Sequence, residues 1–189
     1  MSACSSPWVR SIVLPTPTIK NNTADADRLT AALAAEFRAD TVDLDLDLLR
    51  QLPSLVRKFN YRLRCSLFRE RGRWVLTGIS SADDARPVPG LAVDLGTTRV
   101  VLRLIDLATG GTLAEHAVDN PQTAVGPDVL TRIHHADSPE GLRHLNALII
   151  GGLNLAIGAV CRPVGIQALR GNKFLRRLVE AGAVLWRLL

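Results

Sequence analysis

Residues 90–99 read Gly-Leu-Ala-Val-Asp-Leu-Gly-Thr-Thr-Arg, and this stretch decides the fold of the second half of the chain. It predicts a short buried strand with one carboxylate, Asp94, at its centre, followed by a tight turn. Burying an unpaired carboxylate is costly, so we expect Asp94 to face a cation, a ligand or hydrogen-bond donors. Gly96 permits positive φ and close backbone approach, and Thr97 and Thr98 offer hydroxyl and N–H donors that suit a phosphate. The alternative is a structural turn in which Asp94 only accepts backbone hydrogen bonds.

The chain around this turn predicts an antiparallel meander, because three consecutive apolar runs are present and a glycine turn at Gly110-Gly111 separates the last two. Its three strands are predicted at 91–95, 99–106 and 112–118. Asn120-Pro-Gln breaks the sheet.

Two helices are predicted after the meander. The first begins after Gly126, with Pro127 and Asp128 in its first turn, where a missing N–H and a negative charge are both tolerated. The second, longer helix begins at Ser138. Its apolar run, 147–160, is short and interrupted by glycine and asparagine, so we interpret it as a buried helix rather than a membrane span.

The residues before position 80 predict a small α+β unit. Thr23 is placed to cap a helix that ends near Ala39, and Pro53 is predicted to start a short helix of its own. The remaining elements are a strand at 9–14 and a hairpin of strands 61–67 and 73–79. Between them, Asp43, Asp45 and Asp47 fit a solvated face, with a metal site as the alternative.

Composition narrows the class of protein. Hydrophobic residues make up 47% of the 189, enough for a buried core, and the net charge is +5. Arginines mostly alternate with apolar residues, which favours solvated faces over a nucleic-acid surface. Cys4, Cys65 and Cys161 lie far apart with no C-x-x-C, so they match no disulfide-framework, zinc-ribbon or iron–sulfur spacing, and Cys65 suits packing. No apolar leader is present, so a cytoplasmic protein is expected. The histidines are adjacent or isolated, so they predict no metal site.

The order strand, Asp-Leu-Gly-Thr-Thr, strand, glycine turn, strand, helix resembles the opening of the actin, sugar-kinase and Hsp70 ATPase superfamily. Asn-Pro-Gln at 120–122 and Gly-Pro-Asp-Val-Leu-Thr-Arg-Ile at 126–133 resemble a signature of the reductive activators of corrinoid-dependent enzymes. Leu-Pro-Thr-Pro at 14–17 and Asp-Ala-Asp-Arg-Leu at 25–29 are similar to that family's middle domain, as are Val42-Asp43 and Leu-Leu-Arg-Gln-Leu-Pro at 48–53. The resemblance covers roughly residues 8 to 155.

The resemblance implies a fold: an α+β middle domain, then the first subdomain (ribonuclease H-like, β-β-β-α) of an actin-like ATPase, apparently truncated. The implied divisions are a leader at 1–8, the middle domain at 9–80 and a linker at 81–89. The start of the ATPase domain follows at 90–160, and a divergent or truncated tail at 161–189. Members of the family are ferredoxin-fused ATPases whose [2Fe-2S] domain reduces a corrinoid protein. No four-cysteine cluster motif is present here, and the second half of the nucleotide site is expected after residue 189.

The resemblance also implies roles for residues. Asp94 would hold Mg²⁺ through water, and Gly96, Thr97 and Thr98 would cradle the phosphates of ATP, with weak or no Mg-ATP binding in a fragment and no iron–sulfur cluster. Four further residues match the family motif without an assigned role: Asn120, Gln122, Asp128 and Arg132.

The expected function is therefore a fragment of an ATP-dependent reductive activator of corrinoid proteins. Its expected partner is a corrinoid protein or a corrinoid-dependent methyltransferase, with a homodimer as a further expectation and neither nucleic acid nor membrane as a partner. Two alternatives stay open: a non-catalytic interaction or dimerisation module that docks a corrinoid protein, and another actin-like ATPase or kinase branch. The basic segment 174–189 predicts an amphipathic helix that either attaches to a partner or membrane surface or packs on a core.

Overall fold

The computed structural model describes residues 8–20 and 22–165. The predicted leader, apart from Trp8, and the tail from residue 166, including its predicted amphipathic helix, lie outside these residues. The chain forms two compact units that divide between Val88 and Pro89, except that the turn 107–110 groups with the first unit.

The first unit consists of one four-stranded sheet and two helices. Its elements in chain order are β1 (Val9–Val13), α1 (Asp25–Phe37), β2 (Val42–Leu44), α2 (Leu46–Lys58), β3 (Arg62–Glu70) and β4 (Arg73–Ser81). The strand order is β1-β3-β4-β2, and only the β2–β4 pairing is parallel. The predicted hairpin is confirmed as β3 and β4. Its two-residue turn is Arg71-Gly72, at φ values of 47° and 88°, the left-handed region that suits such hairpins.

The core of the first unit lies between the two helices and the sheet. The inward faces of α1 and α2 and the alternate residues of β3 supply side chains with no exposed area, among them Leu29, Leu33, Leu52, Val56, Leu63 and Cys65. Burial raises the pKa of the Cys65 thiol to about 12, so it stays protonated at neutral pH, in keeping with the packing role predicted for it.

One buried carboxylate joins the two helices. Asp25, in the first turn of α1, accepts hydrogen bonds from Arg28 at 3.3 Å and from Arg57 of α2 at 2.7 Å. Asp25 therefore ties α1 to α2.

Two predictions for this unit are wrong, and one strand was not predicted. The N-cap of α1 is Ala24, which makes no side-chain cap bond, so Thr23 is not the cap. Pro53 does not start a helix but lies inside α2, where it is exposed. The buried residues Leu52 and Val56 share the inward face of α2, so packing carries the helix past the missing N–H. Strand β2 was not predicted, because three residues are too few to show a period of two.

The aspartates near β2 have structural partners instead of forming a metal cluster. Asp45 caps α2 by accepting a hydrogen bond from the Leu48 N–H at 2.7 Å. Asp43 lies 3.8 Å from Arg73, and Asp47 lies 3.8 Å from Arg50. The solvated-face interpretation accounts for all three.

The connection between the units is shorter than the predicted linker, because β4 extends to Ser81 and the next strand begins at Pro89. Arg64 Nη1 donates to the carbonyl oxygens of Asp84 and Arg86, both at 2.7 Å. The connection is therefore held against the first unit.

The second unit consists of a three-stranded sheet with helices. Its elements are β5 (Pro89–Leu95), β6 (Arg99–Asp106), β7 (Thr112–Asp119), a 3-10 turn (Pro121–Ala124), α3 (Val129–His135), α4 (Pro139–Cys161) and a second 3-10 turn (Arg162–Val164). The strands pair antiparallel in the order β5-β6-β7, which confirms the predicted meander. Helix α4 covers one face of this sheet: Val100, Leu102 and Leu104 of β6 form one core with Leu153, Ala156 and Val160.

Helix α4 also begins at the predicted place, because the Ser138 side chain caps it by accepting from the Gly141 N–H at 3.0 Å. With the turn that follows, Pro139–Val164 is the one helix among the described residues long and apolar enough to cross a membrane, by length and composition only. Core helices of soluble proteins have the same properties. One face of α4 packs on the sheet, whereas Leu142 and Leu155 are exposed, so the prediction of a buried helix holds for that face only.

Candidate functional site

The candidate site is the hairpin between β5 and β6. Leu95 pairs with Val100, and the Gly96 N–H donates to the Arg99 carbonyl at 3.0 Å, so Thr97 and Thr98 form the tip. A Cβ on Gly96 would lie 2.7 Å from the Arg99 carbonyl oxygen, which confirms the predicted close backbone approach. Gly96 does not use the positive φ that glycine permits, since the hairpin closes without any left-handed residue.

The tip of this hairpin presents hydrogen-bond donors that have no partner. Thr97 and Thr98 are exposed, and neither their amide N–H groups nor their hydroxyls donate a hydrogen bond to any residue that the structure describes. Successive backbone N–H groups in a turn form a concave surface suited to anions. Two residues therefore supply four adjacent donors.

The carboxylate predicted to be buried is exposed. Asp94 lies on β5 in register with Val101, two residues before Gly96. Leu91 and Val93 pack towards α4, and because successive side chains alternate across a strand, Asp94 lies on the opposite face. In the described part of the chain, the Asp94 carboxylate makes no ion pair and accepts no hydrogen bond. The alternative, a structural turn in which this carboxylate accepts backbone hydrogen bonds, is therefore not observed. The carboxylate is therefore open to solvent and to ligands.

One motif residue of unassigned role contacts the hairpin directly. Asn120 is 2% exposed; its Nδ2 donates to the Gly96 carbonyl and its backbone N–H to the Thr98 carbonyl, both at 2.8 Å. The Asn120 side-chain oxygen also caps the following turn by accepting from the Gln122 N–H at 2.9 Å.

The residues after Asn120 anchor it to α4. Gln122 Nε2 donates to the Leu145 carbonyl at 3.2 Å. Pro121 lies so close to α4 that a Cβ on Gly152 would stand 2.7 Å from its Cγ. Sequence reasoning missed Gly152, whose signal is a glycine inside an apolar helix. The structure thus joins the hairpin loop to Asn120 and, through Gln122, to α4, whereas Asp94 lies on the face of the sheet away from α4.

The other two motif residues support α3 instead. Asp128 is the N-cap of α3, so the prediction that it and Pro127 lie in the first turn is wrong. Its carboxylate accepts from the Thr131 N–H at 2.9 Å and the Thr131 hydroxyl at 2.8 Å. Arg132 is 7% exposed and donates from Nε to the Gly126 carbonyl at 2.9 Å.

We expect Asp128→Ala to lower the melting temperature without changing ligand binding, because it removes a helix cap. The hydrogen bond from the Thr131 N–H lowers the pKa of Asp128 below its usual 3.8. A carboxyl whose pKa is lowered by folding stabilises the folded state above the unfolded pKa and loses this effect as pH falls through the folded pKa. Asp128→Ala should therefore destabilise the protein at pH 7, and the difference in stability from the unaltered protein should shrink below about pH 4.

Thermal unfolding at pH 7 and below pH 4 measures both effects, with Asp128→Asn as the control that keeps a capping oxygen. A melting temperature unchanged at pH 7 would contradict the cap.

Two histidines predicted to be separate are neighbours. His144 Nδ1 lies 3.4 Å from His135 Nε2, because the turn between α3 and α4 brings these positions together. Among the described residues, no group of three or more His, Cys, Asp or Glu side chains is placed to hold a metal ion. A cation beside the hairpin would therefore depend on Asp94, water and ligand oxygens, the coordination that Mg²⁺ prefers.

These features define a class: a mixed α/β protein with two sheets, whose second unit carries a Gly-Thr-Thr hairpin held by an Asn-Pro-Gln turn. Two family profiles match it, described as the RACo linker region over residues 7–85 and the RACo middle region over residues 89–173. The chain belongs to this family, the reductive activators of corrinoid-dependent enzymes. The middle region matches residues 89–173 and the linker region residues 7–85, whereas the sequence predicted the middle domain at 9–80, so that placement is corrected.

Two relatives agree with this membership. The chain is 36% identical over 97 residues to the corrinoid activation enzyme RamQ of Eubacterium limosum, a match that covers 51% of this chain and 16% of the relative. It is similar to the solved reductive activator for corrinoid, iron–sulfur protein, with a TM-score of 0.72 and 29% identity over 88% of this chain. The chain spans 27% of that solved chain.

Proposed function

We propose that this chain contributes the first phosphate loop of the Mg-ATP site of a corrinoid reductive activator. The observation that carries this proposal is the set of free N–H and hydroxyl donors on Thr97 and Thr98, on a hairpin fixed by Asn120 and beside the open carboxylate of Asp94. The meander with one long helix fits the opening of an actin-like ATPase domain. Membership of the family supports the same interpretation.

In this proposal each residue has a role that its position allows. Asp94 holds Mg²⁺ through water, because magnesium gives up its hydration shell reluctantly. Thr97 and Thr98 bind the β- and γ-phosphate oxygens, and Gly96 lets the hairpin close tightly behind them. Such a loop acts by positioning and charge neutralisation. ATP, when bound, supplies the free energy for reduction of the corrinoid.

The partner we propose is a corrinoid protein, since one relative is named a corrinoid activation enzyme and the other a reductive activator for corrinoid, iron–sulfur protein. The chain spans 16% and 27% of those relatives, so electron transfer and ATP turnover are proposed for the whole protein. The electron donor and the remaining nucleotide contacts would come from other parts of it.

A second candidate function is a non-catalytic module that docks a corrinoid protein. It is favoured by three apolar side chains on α3 that are largely exposed: Val129 at 49%, Leu130 at 78% and Ile133 at 57%. Substituting Leu130 and Ile133 by serine would weaken capture of the corrinoid protein under this function and leave nucleotide binding intact.

The proposed function predicts that Asp94→Asn weakens Mg-ATP binding at least about tenfold, because a neutral amide no longer attracts the hydrated cation. Titration calorimetry of the full-length protein with ATP, in Mg²⁺ and in EDTA, measures this effect. Asp119→Asn is the matched control: it removes an exposed carboxylate at the end of β7 in the same sheet. Absence of Mg-ATP binding in the unaltered protein, or equal binding by Asp94→Asn, would refute the phosphate loop.

A further inference from the structure

We propose that Asn120 is a positioning residue that sets the conformation of the Gly96–Thr98 loop for phosphate binding. The inference rests on the proposed function, because it assigns the loop's preorganisation to one buried side chain. Asn120 follows β7 and lies 24 residues after Gly96, so the sheet, not the local sequence, brings them together.

The bonds of Asn120 fix both ends of the loop. Its Nδ2 donates to the Gly96 carbonyl, at the start of the loop, and its backbone N–H donates to the Thr98 carbonyl, at the end of the loop. The first and last carbonyls of the loop are thereby occupied on the Asn120 side. The N–H and hydroxyl groups of Thr97 and Thr98 keep no partner among the described residues.

The orientation of the Asn120 amide is determined by its two partners. Nδ2 faces a carbonyl oxygen, which only accepts, while Oδ1 faces the Gln122 N–H, which only donates. At 2% exposure, water cannot readily substitute for either partner. Aspartate would keep the bond from Gln122 but would place an oxygen against the Gly96 carbonyl.

The turn that contains Asn120 is also anchored to α4. Pro121 packs against Gly152, and Gln122 donates to the Leu145 carbonyl, both on α4. The loop is therefore held against a long helix rather than on a free hairpin. A loop ordered before binding loses less conformational freedom on binding, so its donors give more affinity.

The test compares Asn120→Asp with Thr123→Val in the full-length protein. Thr123 Oγ1 donates to the Asn120 carbonyl at 2.8 Å, so Thr123→Val removes a bond of the same turn without touching the loop. Binding of Mg-ATP and of AMP is measured by calorimetry, and stability by chemical denaturation. AMP lacks the β- and γ-phosphates, so general damage lowers both affinities, whereas a displaced loop lowers only that for ATP.

We expect Asn120→Asp to weaken Mg-ATP binding at least about tenfold, with AMP affinity unchanged and stability similar to that of Thr123→Val. Equal ATP affinity in the two variants, or a parallel loss for AMP, overturns the inference. If Asn120→Asp does not fold, Asn120→Ser replaces it, because the shorter serine side chain cannot reach the Gly96 carbonyl. If neither variant folds, Asn120 is a core residue and the inference is overturned. Absence of ATP binding in the unaltered protein would instead refute the proposed function.

Discussion

Gly96→Ala is expected to weaken Mg-ATP binding at least about tenfold. The added Cβ would stand 2.7 Å from the Arg99 carbonyl oxygen, closer than carbon and oxygen approach in folded proteins. That oxygen belongs to the backbone of β6 and accepts the Gly96 N–H, so it cannot rotate away. The hairpin must open to relieve the contact, and the donors of Thr97 and Thr98 then lose their spacing.

The control for Gly96→Ala is Gly110→Asn, at the opposite end of the same sheet. Gly110 has a φ of +77°, a Cβ on it would have no neighbour within 4 Å, and asparagine tolerates the left-handed region. We expect Gly110→Asn to leave ATP affinity unchanged. Calorimetry on both variants separates the loop from the sheet, and an affinity for ATP that survives Gly96→Ala would contradict the close-approach argument.

Gly141→Ala is expected to destabilise the protein by about 3 kcal/mol, at the upper end of the usual cost of overpacking. Gly141 is buried in the first turn of α4, and a Cβ there would overlap the carbonyl oxygen of His135, the last residue of α3. Since the overlapping atom is backbone, α3 and α4 must move apart. Chemical denaturation measures the loss.

Two other glycines of α4 provide matched controls. Gly151 and Gly158 have nothing within 4 Å of a Cβ, and alanine is favoured over glycine in a helix by about 1 kcal/mol. Gly151→Ala and Gly158→Ala should therefore stabilise the protein while Gly141→Ala destabilises it. The same sign for all three substitutions would show that helix propensity, not the contact between α3 and α4, governs this helix.

The sheet elements could be predicted because their signals are local. Strands β6 and β7 are rich in apolar residues on either side of the Gly110-Gly111 turn, and β3 alternates polar and apolar residues before the turn at Arg71-Gly72. Cap residues such as Ser138 are local too, since the side chain bonds to an N–H three residues on. Strand β2 and the passage of α2 through Pro53 depend on burial against other elements, which alternation in the sequence does not report.

The part of the candidate site that could be predicted also has local signals. Gly96, Thr97 and Thr98 were identified from adjacent residues, and the hairpin places them at one tip. The exposure of Asp94 depends on which face α4 covers, and an apolar strand does not reveal this. The bond from Asn120 to Gly96 spans 24 residues and forms only when β7 pairs with β6, so the motif was visible while its role was not.

The most direct test of the phosphate loop is an experimental structure of the full-length protein with Mg²⁺ and a non-hydrolysable ATP analogue. We expect phosphate oxygens within about 3.2 Å of the amide nitrogens of Thr97 and Thr98, and Asp94 in contact with a water bound to the magnesium ion. A nucleotide bound with its phosphates away from this hairpin, or with Asp94 facing no part of the magnesium hydration shell, would contradict the proposal.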